Sequence, residues 1–357
     1  MNKIIQFILF LSVFLSIYFG LHYYIYYRIL NLFEIKKKLL LFTIIFSFAL
    51  SFPVTSLLEH YFSNLFSRIL YTISAIWMGF FFFLLSTLVI YEIIKFFIKI
   101  DNKTFGIIIV GIAALISIIS LISCLFIVVK KVEIPIDGIE NEINVVQLTD
   151  MHIGTIKNSG YIKRIVDKTN ALNPDFVVIT GDLIDGGGVF HDNVYEELNK
   201  FNAPTYFIIG NHEVYAGLNI TKIIHEKTNI IELDNSVKMF KDIQIVGVTD
   251  PGNQKDHIKL STIKYDKDKP TILLRHQPAE VDEAAKAGID LQLSGHTHNG
   301  QVIPFNFAVR AFWKYTKGLY KIDDMYLYVS PGTGTWGPPM RLGSLNEITY
   351  ITLTPKK

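Results

Sequence analysis

Charge is scarce in this chain. Asp, Glu, Lys and Arg make up 18% of its 357 residues, where an ordinary soluble domain carries about 25%. Cysteine is scarcer still. Cys124 stands alone, which excludes a disulfide within the chain, and its place inside an apolar run marks it as a small apolar side chain. The net charge is only +2, and no basic stripe interleaved with aromatics occurs. A nucleic-acid partner is therefore not expected. Internal repeats and low-complexity linkers are missing as well.

What the chain has instead is apolar surface. Half of its residues are apolar or aromatic, and the mean hydropathy is +0.34. The average hides a division. Residues 1–129 are dominated by Ile, Leu and Phe, whereas the sequence after Lys130 reads as a soluble domain. Four stretches, at 4–27, 39–58, 69–91 and 105–129, are long enough to cross a bilayer as helices, which takes about 20 residues. The first is too long for a signal peptide, and no small-residue cleavage site follows it. Tyr23, Tyr24, Tyr26 and Tyr27 stand where an interfacial aromatic belt would lie. The expected organisation is a transmembrane region over 1–129, a short connection over 130–143 and a soluble domain over 144–357.

Loop charges bear on orientation. The first and third connections hold Arg28, Lys36, Lys37, Lys38, Lys95, Lys99 and Lys103. The opposite side holds Lys3, Arg68, Lys130 and Lys131. Positive loops stay in the cytoplasm, so the expectation is a multi-pass membrane protein with its soluble domain outside.

In the soluble part, five short aliphatic runs end in residues that bind metals. Residues 143–148 lead to Asp150 and His152; 176–180 to Asp182; 206–209 to Asn211 and His212; 271–274 to His276; and 291–293 to His296 and His298. Runs of this length suit buried strands. Helix-like spacing over 160–170 and 278–287 separates some of them, which implies an α/β domain. Sites in such domains form beyond the carboxyl ends of strands. Carboxylate, imidazole and amide donors suit divalent ions such as Mn, Fe or Zn. In an extended chain, Asp150 with His152, and His296 with His298, would each face one metal cluster. Gly181, Gly210 and Gly295 permit tight turns and close approach. His22, His60, His191, His225 and His257 lack such context and read as surface or structural residues.

The ordered motifs LTDMHIG, ITGDLID, IGNHEVY, LLRHQP and LSGHTHNGQ resemble the calcineurin-like metallophosphoesterase superfamily over residues 144–354. The last of them, with WGPPMRLG, is similar to its membrane-associated branch of YkuE-like and YaeI-like proteins and a vertebrate transmembrane member. The resemblance implies a four-layer fold of two packed β-sheets flanked by helices. It implies two divalent ions, one held by Asp150, His152 and His298 and the other by Asn211, His276 and His296, with Asp182 between them. His212 would be the general acid, oriented by Asp185 rather than Glu213. Asn211 and Arg341 would contact substrate, with Trp336 as a pocket wall; a purely structural turn is the competing reading of that last segment. Gly186 stands where protein-phosphatase relatives carry an arginine, which disfavours a phosphoprotein substrate. Asn299 replaces a glycine common in the membrane branch.

The functional expectation is a membrane-anchored enzyme hydrolysing a phosphodiester or pyrophosphate bond. Its substrate would be a phosphorylated small molecule or lipid-linked compound, for example UDP-2,3-diacylglucosamine. The alternatives are a broad wall-facing phosphodiesterase or phosphatase, and an inactive ligand-binding sensor.

Overall fold

A computed structural model describes residues 3–186, 192–217, 219–250 and 260–356; His191 and His257 lie outside them. The chain divides into two compact units, Met1–Leu121 and Ile122–Lys357.

The first unit is helical. Helices α1 (Lys3–Leu32), α2 (Lys38–Tyr61), α3 (Leu65–Ile94) and α4 (Asn102–Cys124) are all long and apolar enough to cross a membrane. Helix α4 stops at Cys124, whereas the fourth apolar stretch runs on to Val129. Hydropathy alone cannot see this stop, because the β-branched run after it continues as a strand. Polar side chains tie the helices together. The Tyr18 hydroxyl donates to the Ala49 carbonyl at 2.8 Å, and Thr55 and Ser74 share a hydrogen bond of 2.6 Å. His22 is fully buried and stacked on Phe81, so it is structural; His60 is exposed.

The second unit holds two six-stranded mixed sheets. In chain order its elements are β1 (Ile127–Ile136), β2 (Ile143–Leu148), α5 (Ser159–Asn170), β3 (Phe176–Ile179), α6 (Asp192–Leu198), β4 (Thr205–Phe207), α7 (Asn211–Ala216), α8 (Asn219–Lys227) and β5 (Ile231–Glu232). Then come β6 (Ser236–Phe240), β7 (Ile243–Val248), β8 (Thr271–Arg275), α9 (Val281–Lys286), β9 (Leu291–Ser294), α10 (Phe305–Phe312), β10 (Gly318–Ile322), β11 (Met325–Val329) and β12 (Asn346–Pro355). One sheet runs β1-β12-β2-β3-β4-β5 and the other β10-β11-β9-β8-β7-β6. Residues 130–143, expected as a connection, belong in part to β1, which pairs in parallel with β12.

The sheets pack face to face. Val145, Val178, Ile208 and Leu353 of the first share a core with Ile245, Ile272, Leu291 and Leu293 of the second. The outer face of the first sheet is covered by Ile162, Ile165 and Val166 of α5, together with α6 residues. The outer face of the second is covered by Val281 and Ala284 of α9. Each fully buried aliphatic side chain contributes about 1.5–3 kcal/mol. This is the expected four-layer arrangement. Strands β2, β3, β8 and β9 are almost wholly buried, which is why they read as largely aliphatic runs and not as alternating ones. Their carboxyl ends all deliver chain to one rim.

Candidate metal centre

Every strand end named from the sequence brings its side chain to that rim. Asp150, His152 and His298 offer ligand atoms within 4.8 Å of one another, as do Asp182, His276 and His296. In the first group the Nε2 atoms of His152 and His298 lie 3.0 Å apart, and His298 Nε2 is 3.4 Å from Asp150 Oδ1. In the second, Asn211 Oδ1 sits 3.1 Å from His276 Nε2 and 2.9 Å from His296 Nδ1.

Asp182 stands between the groups. Its Oδ1 accepts the His212 backbone N–H at 2.9 Å. Its Oδ2 lies 3.1 Å from His276 Nε2 and 3.9 Å from His152 Nε2. One carboxylate oxygen thus lies within 4 Å of imidazole nitrogens of both groups.

The donor set fits divalent cations. Imidazole nitrogens crowd together at hydrogen-bond distance of one another, where their lone pairs need a shared positive centre. The protonation states of three of the four rings fit as well. Burial lowers His152 and His296 to about 3 and lowers His298 too, so these rings are neutral, as ligands must be. Burial raises Asp150 to about 6, although His276 opposes the shift. Asp182 and His276 form an ion pair: against the cost of burial, the imidazole holds the carboxyl down and the carboxylate holds the imidazole up.

The local backbone differs from an extended chain. Asp150, His152, Asp182, His296 and His298 all have left-handed φ, between 47° and 68°. Such conformations are costly for residues other than glycine and concentrate at functional sites. The two-residue spacing therefore works through turns and not through strand alternation. For Asp150 and His152 the outcome is still one group. For His296 and His298 the turn at Thr297 sends the two imidazoles to different groups of one cluster, the division that the resemblance implied. Asn299 has φ 49°, a conformation asparagine tolerates better than most residues, which accounts for its standing in place of glycine. Gly295 is required by space, since a Cβ there would lie 2.3 Å from Asp150 Oδ2. Gly210 is required likewise, with Asp182 Oδ1 at 2.3 Å.

His212 lies beside the first group, its ring centroid 4.6 Å from that of His152. Its Nδ1 is 3.5 Å from Asp185 Oδ1 and 3.2 Å from the Gly186 amide nitrogen. Burial by itself would lower its pKa. The hydrogen bond to Asp185 and the charges of Asp182, Asp185 and Glu213 outweigh burial and raise it. Glu213 points elsewhere. It accepts backbone N–H bonds from Asp182 at 3.0 Å, Ile184 at 3.0 Å and Gly210 at 2.7 Å. Trp336 is 56% exposed with its ring 6.2 Å from that of His212, on the rim.

Arg341 is not on the rim, which corrects its expected contact with substrate. It is fully buried. It donates to Asn346 Oδ1, Ser344 Oγ and the carbonyls of His298, Pro331, Gly332 and Gly334. The loop it gathers is a buttress, because Thr333 and Gly334 donate to the carbonyls of Thr149 and Asp150 at 2.8 and 2.9 Å. A guanidinium in a Gly- and Pro-rich segment reads as a phosphate clamp; only burial reveals the post. Two further residues escaped sequence reasoning. Thr149 donates to Asp150 Oδ2 at 2.8 Å. Trp313 packs edge-on to His296 with centroids 5.1 Å apart. Neither carries a pattern in sequence that could have marked it.

The sequence profile of the calcineurin-like phosphoesterases matches residues 143–300. An uncharacterised metallophosphoesterase of Campylobacter jejuni is 36% identical over 238 residues, which span 64% of this chain and 64% of that protein. A bovine transmembrane protein with a metallophosphoesterase domain is 34% identical over 251 residues, 63% of this chain and 56% of its own. An uncharacterised metallophosphoesterase of Aquifex aeolicus is 30% identical over 258 residues, covering 69% of this chain and 98% of that protein. The profile match takes in every strand end that carries the seven candidate ligands, and the chain belongs to the calcineurin-like phosphoesterase family.

Proposed function

We propose that this protein is a membrane-anchored two-metal phosphoesterase that hydrolyses a phosphodiester or pyrophosphate bond of a lipid-linked or envelope substrate, such as UDP-2,3-diacylglucosamine. The observation that carries this reading is the position of Asp182, whose carboxylate oxygen lies within 4 Å of imidazole nitrogens of both groups. Asp150, His152 and His298 would hold one ion and Asn211, His276 and His296 the other, with Mn, Fe or Zn suited to the donors. Two such ions supply Lewis acidity toward the phosphoryl oxygens and lower the pKa of water in the site.

The chain's own residues do the rest. The Nδ1 edge of His212 faces Asp185 and Gly186, so the opposite edge, Nε2, is the one that meets the leaving oxygen. Its raised pKa keeps it able to donate a proton, a contribution worth ~10²–10⁴-fold. Asp185 holds the ring in that orientation. The Asn211 amide can share its oxygen with an ion while its nitrogen faces a phosphoryl oxygen. Gly186, where protein phosphatases carry arginine, leaves the site without a clamp for a phosphoprotein.

The loop charges favour an external catalytic domain, and that observation supports a second reading, a wall-facing phosphodiesterase or phosphatase of broad specificity. Activity of a C-terminal reporter that works only in the cytoplasm would overturn the external placement. The enzyme test compares hydrolysis of bis-p-nitrophenyl phosphate, p-nitrophenyl phosphate and a UDP-linked lipid by the full chain, with Mn added or chelated. We expect metal-dependent turnover that Asp182→Ala abolishes. Tight binding of two ions with no turnover on any substrate would refute the enzymatic reading.

A further inference from the structure

Helix α10 has its polarity reversed. Of its eight residues the buried one is Asn306, at 8% exposure, whereas Phe307 is 63% exposed and Phe312 86%. A helix on a water-facing surface buries its apolar side chains and exposes its polar ones. Exposed aromatic residues grouped in this way mark a surface with a partner.

The surroundings name the partner. A groove of about 1030 Å³ runs beside α10, and Lys130, Arg310, Lys314, Lys317, Trp313 and Asn299 are among the residues that line it. The four cations are exposed. Among the described residues none of them is paired with a carboxylate. The lining carboxylate, Glu347, is engaged by the Tyr328 hydroxyl at 2.7 Å and by Thr349 at 3.0 Å. A short helix with exposed aromatic residues and Lys or Arg beside them is the composition of an interfacial element on an anionic bilayer. The same chain carries four helices long and apolar enough to cross a membrane.

The helix is also mounted on the metal centre. Gly300, two residues beyond His298, packs so closely that a Cβ on it would lie 2.3 Å from Asn306 Cα. At its other end Trp313 packs on the His296 ring. Whatever α10 rests on is therefore held at the rim of the metal site.

We propose that α10 and the cations beside it form a bilayer-docking surface. Phe307 and Phe312 enter the interfacial zone of an anionic leaflet, and Lys130, Arg310, Lys314 and Lys317 draw the phosphate of a lipid headgroup into the groove. This deepens the lipid-linked reading above, and rests on it only for the fate of the headgroup.

The test reads position, not activity, so its failure is separate from failure of the enzymatic reading. The full chain carrying Cys124→Ser and Ala311→Cys on α10 is labelled with a fluorophore and placed in nanodiscs with doxyl-labelled lipid. The control label is Met239→Cys on β6, at the opposite edge of the second sheet from β10. With phosphatidylglycerol present we expect quenching at position 311 and none at 239. Each cation near an anionic surface changes the docked-to-undocked ratio roughly fivefold. Combined Arg310→Gln, Lys314→Gln and Lys317→Gln should therefore lower that ratio by roughly a hundredfold. Phosphatidylcholine alone should do the same in direction. A label at 311 as unquenched as that at 239 overturns the proposal. So does quenching that ignores both lipid charge and the three substitutions. Displacement by soluble glycerol phosphate would show a groove that reads free phosphate, and would overturn it too.

Discussion

Replacing Arg341 by lysine separates a structural post from a phosphate clamp. The guanidinium serves six acceptors within the buried loop. A lysine ammonium has three donors in a compact head, so at least three acceptors lose their partner. A buried polar group left unmade costs about 1–3 kcal/mol. Allowing for partial recovery by water, Arg341→Lys should destabilise the domain by about 3–5 kcal/mol. The damage should also be uneven. Arg341 holds the His298 carbonyl and the loop that buttresses Thr149 and Asp150, so the ion site of Asp150, His152 and His298 is the one it supports. Losing such an outer support costs about 10–100-fold in metal affinity. The site of Asn211, His276 and His296 should change far less. Denaturant unfolding of the full chain in detergent gives the first number, and metal titration resolved into two sites gives the second. If Arg341→Lys unfolds within about 0.5 kcal/mol of wild type, the size of a harmless surface change, and only KM rises, the arginine is a substrate contact and the reasoning fails.

Three other outcomes follow from the same geometry. Glu213→Gln keeps the size of the side chain but not its ability to accept from three backbone amides. It should cost about 2–4 kcal/mol in unfolding experiments and weaken both ion sites, because two of those amides belong to Asp182 and Gly210; unchanged stability would mean the amides find other acceptors. His212→Ala should slow hydrolysis of an ester with a poor leaving group by ~10²–10⁴-fold and that of a p-nitrophenyl ester much less, and equal losses on both would remove it as the general acid. His276 is raised by Asp182 despite burial, so before an ion binds it holds a proton that must leave on binding. Metal affinity should therefore rise with pH through the titration of His276, and calorimetry in buffers of different ionisation enthalpy should count about one proton released there; a count of zero would show the ring already neutral.

The residues of the candidate metal centre were legible in the sequence because of where they stand. A strand buried on both faces is mostly apolar, as β3 is, so the first carboxylate or imidazole beyond it stands out. Five such ends in fixed order leave little room for coincidence. The four long helices were legible for a similar reason, since a bilayer demands continuous apolar length. The end of α4 was not, because hydropathy cannot distinguish a helix from the strand pairing that β1 finds with β12 across more than two hundred residues of chain.

What the amino-acid order determined by itself is the inventory of candidate ligands, the strand ends that carry it and the presence of four long apolar helices before Cys124. What only the tertiary structure decided is the backbone that delivers those side chains and what supports them. His296 and His298 part company because of left-handed turns, which depend on the packing around them and not on spacing. Arg341 and Glu213 are posts because burial gives their charges backbone partners and no water. The phenylalanines of α10 face outward because Gly300 takes up the face where Asn306 sits. Residue identity sets which chemistry a side chain can perform; burial and direction, which arise from contacts distant in sequence, set which of those chemistries it is left to perform.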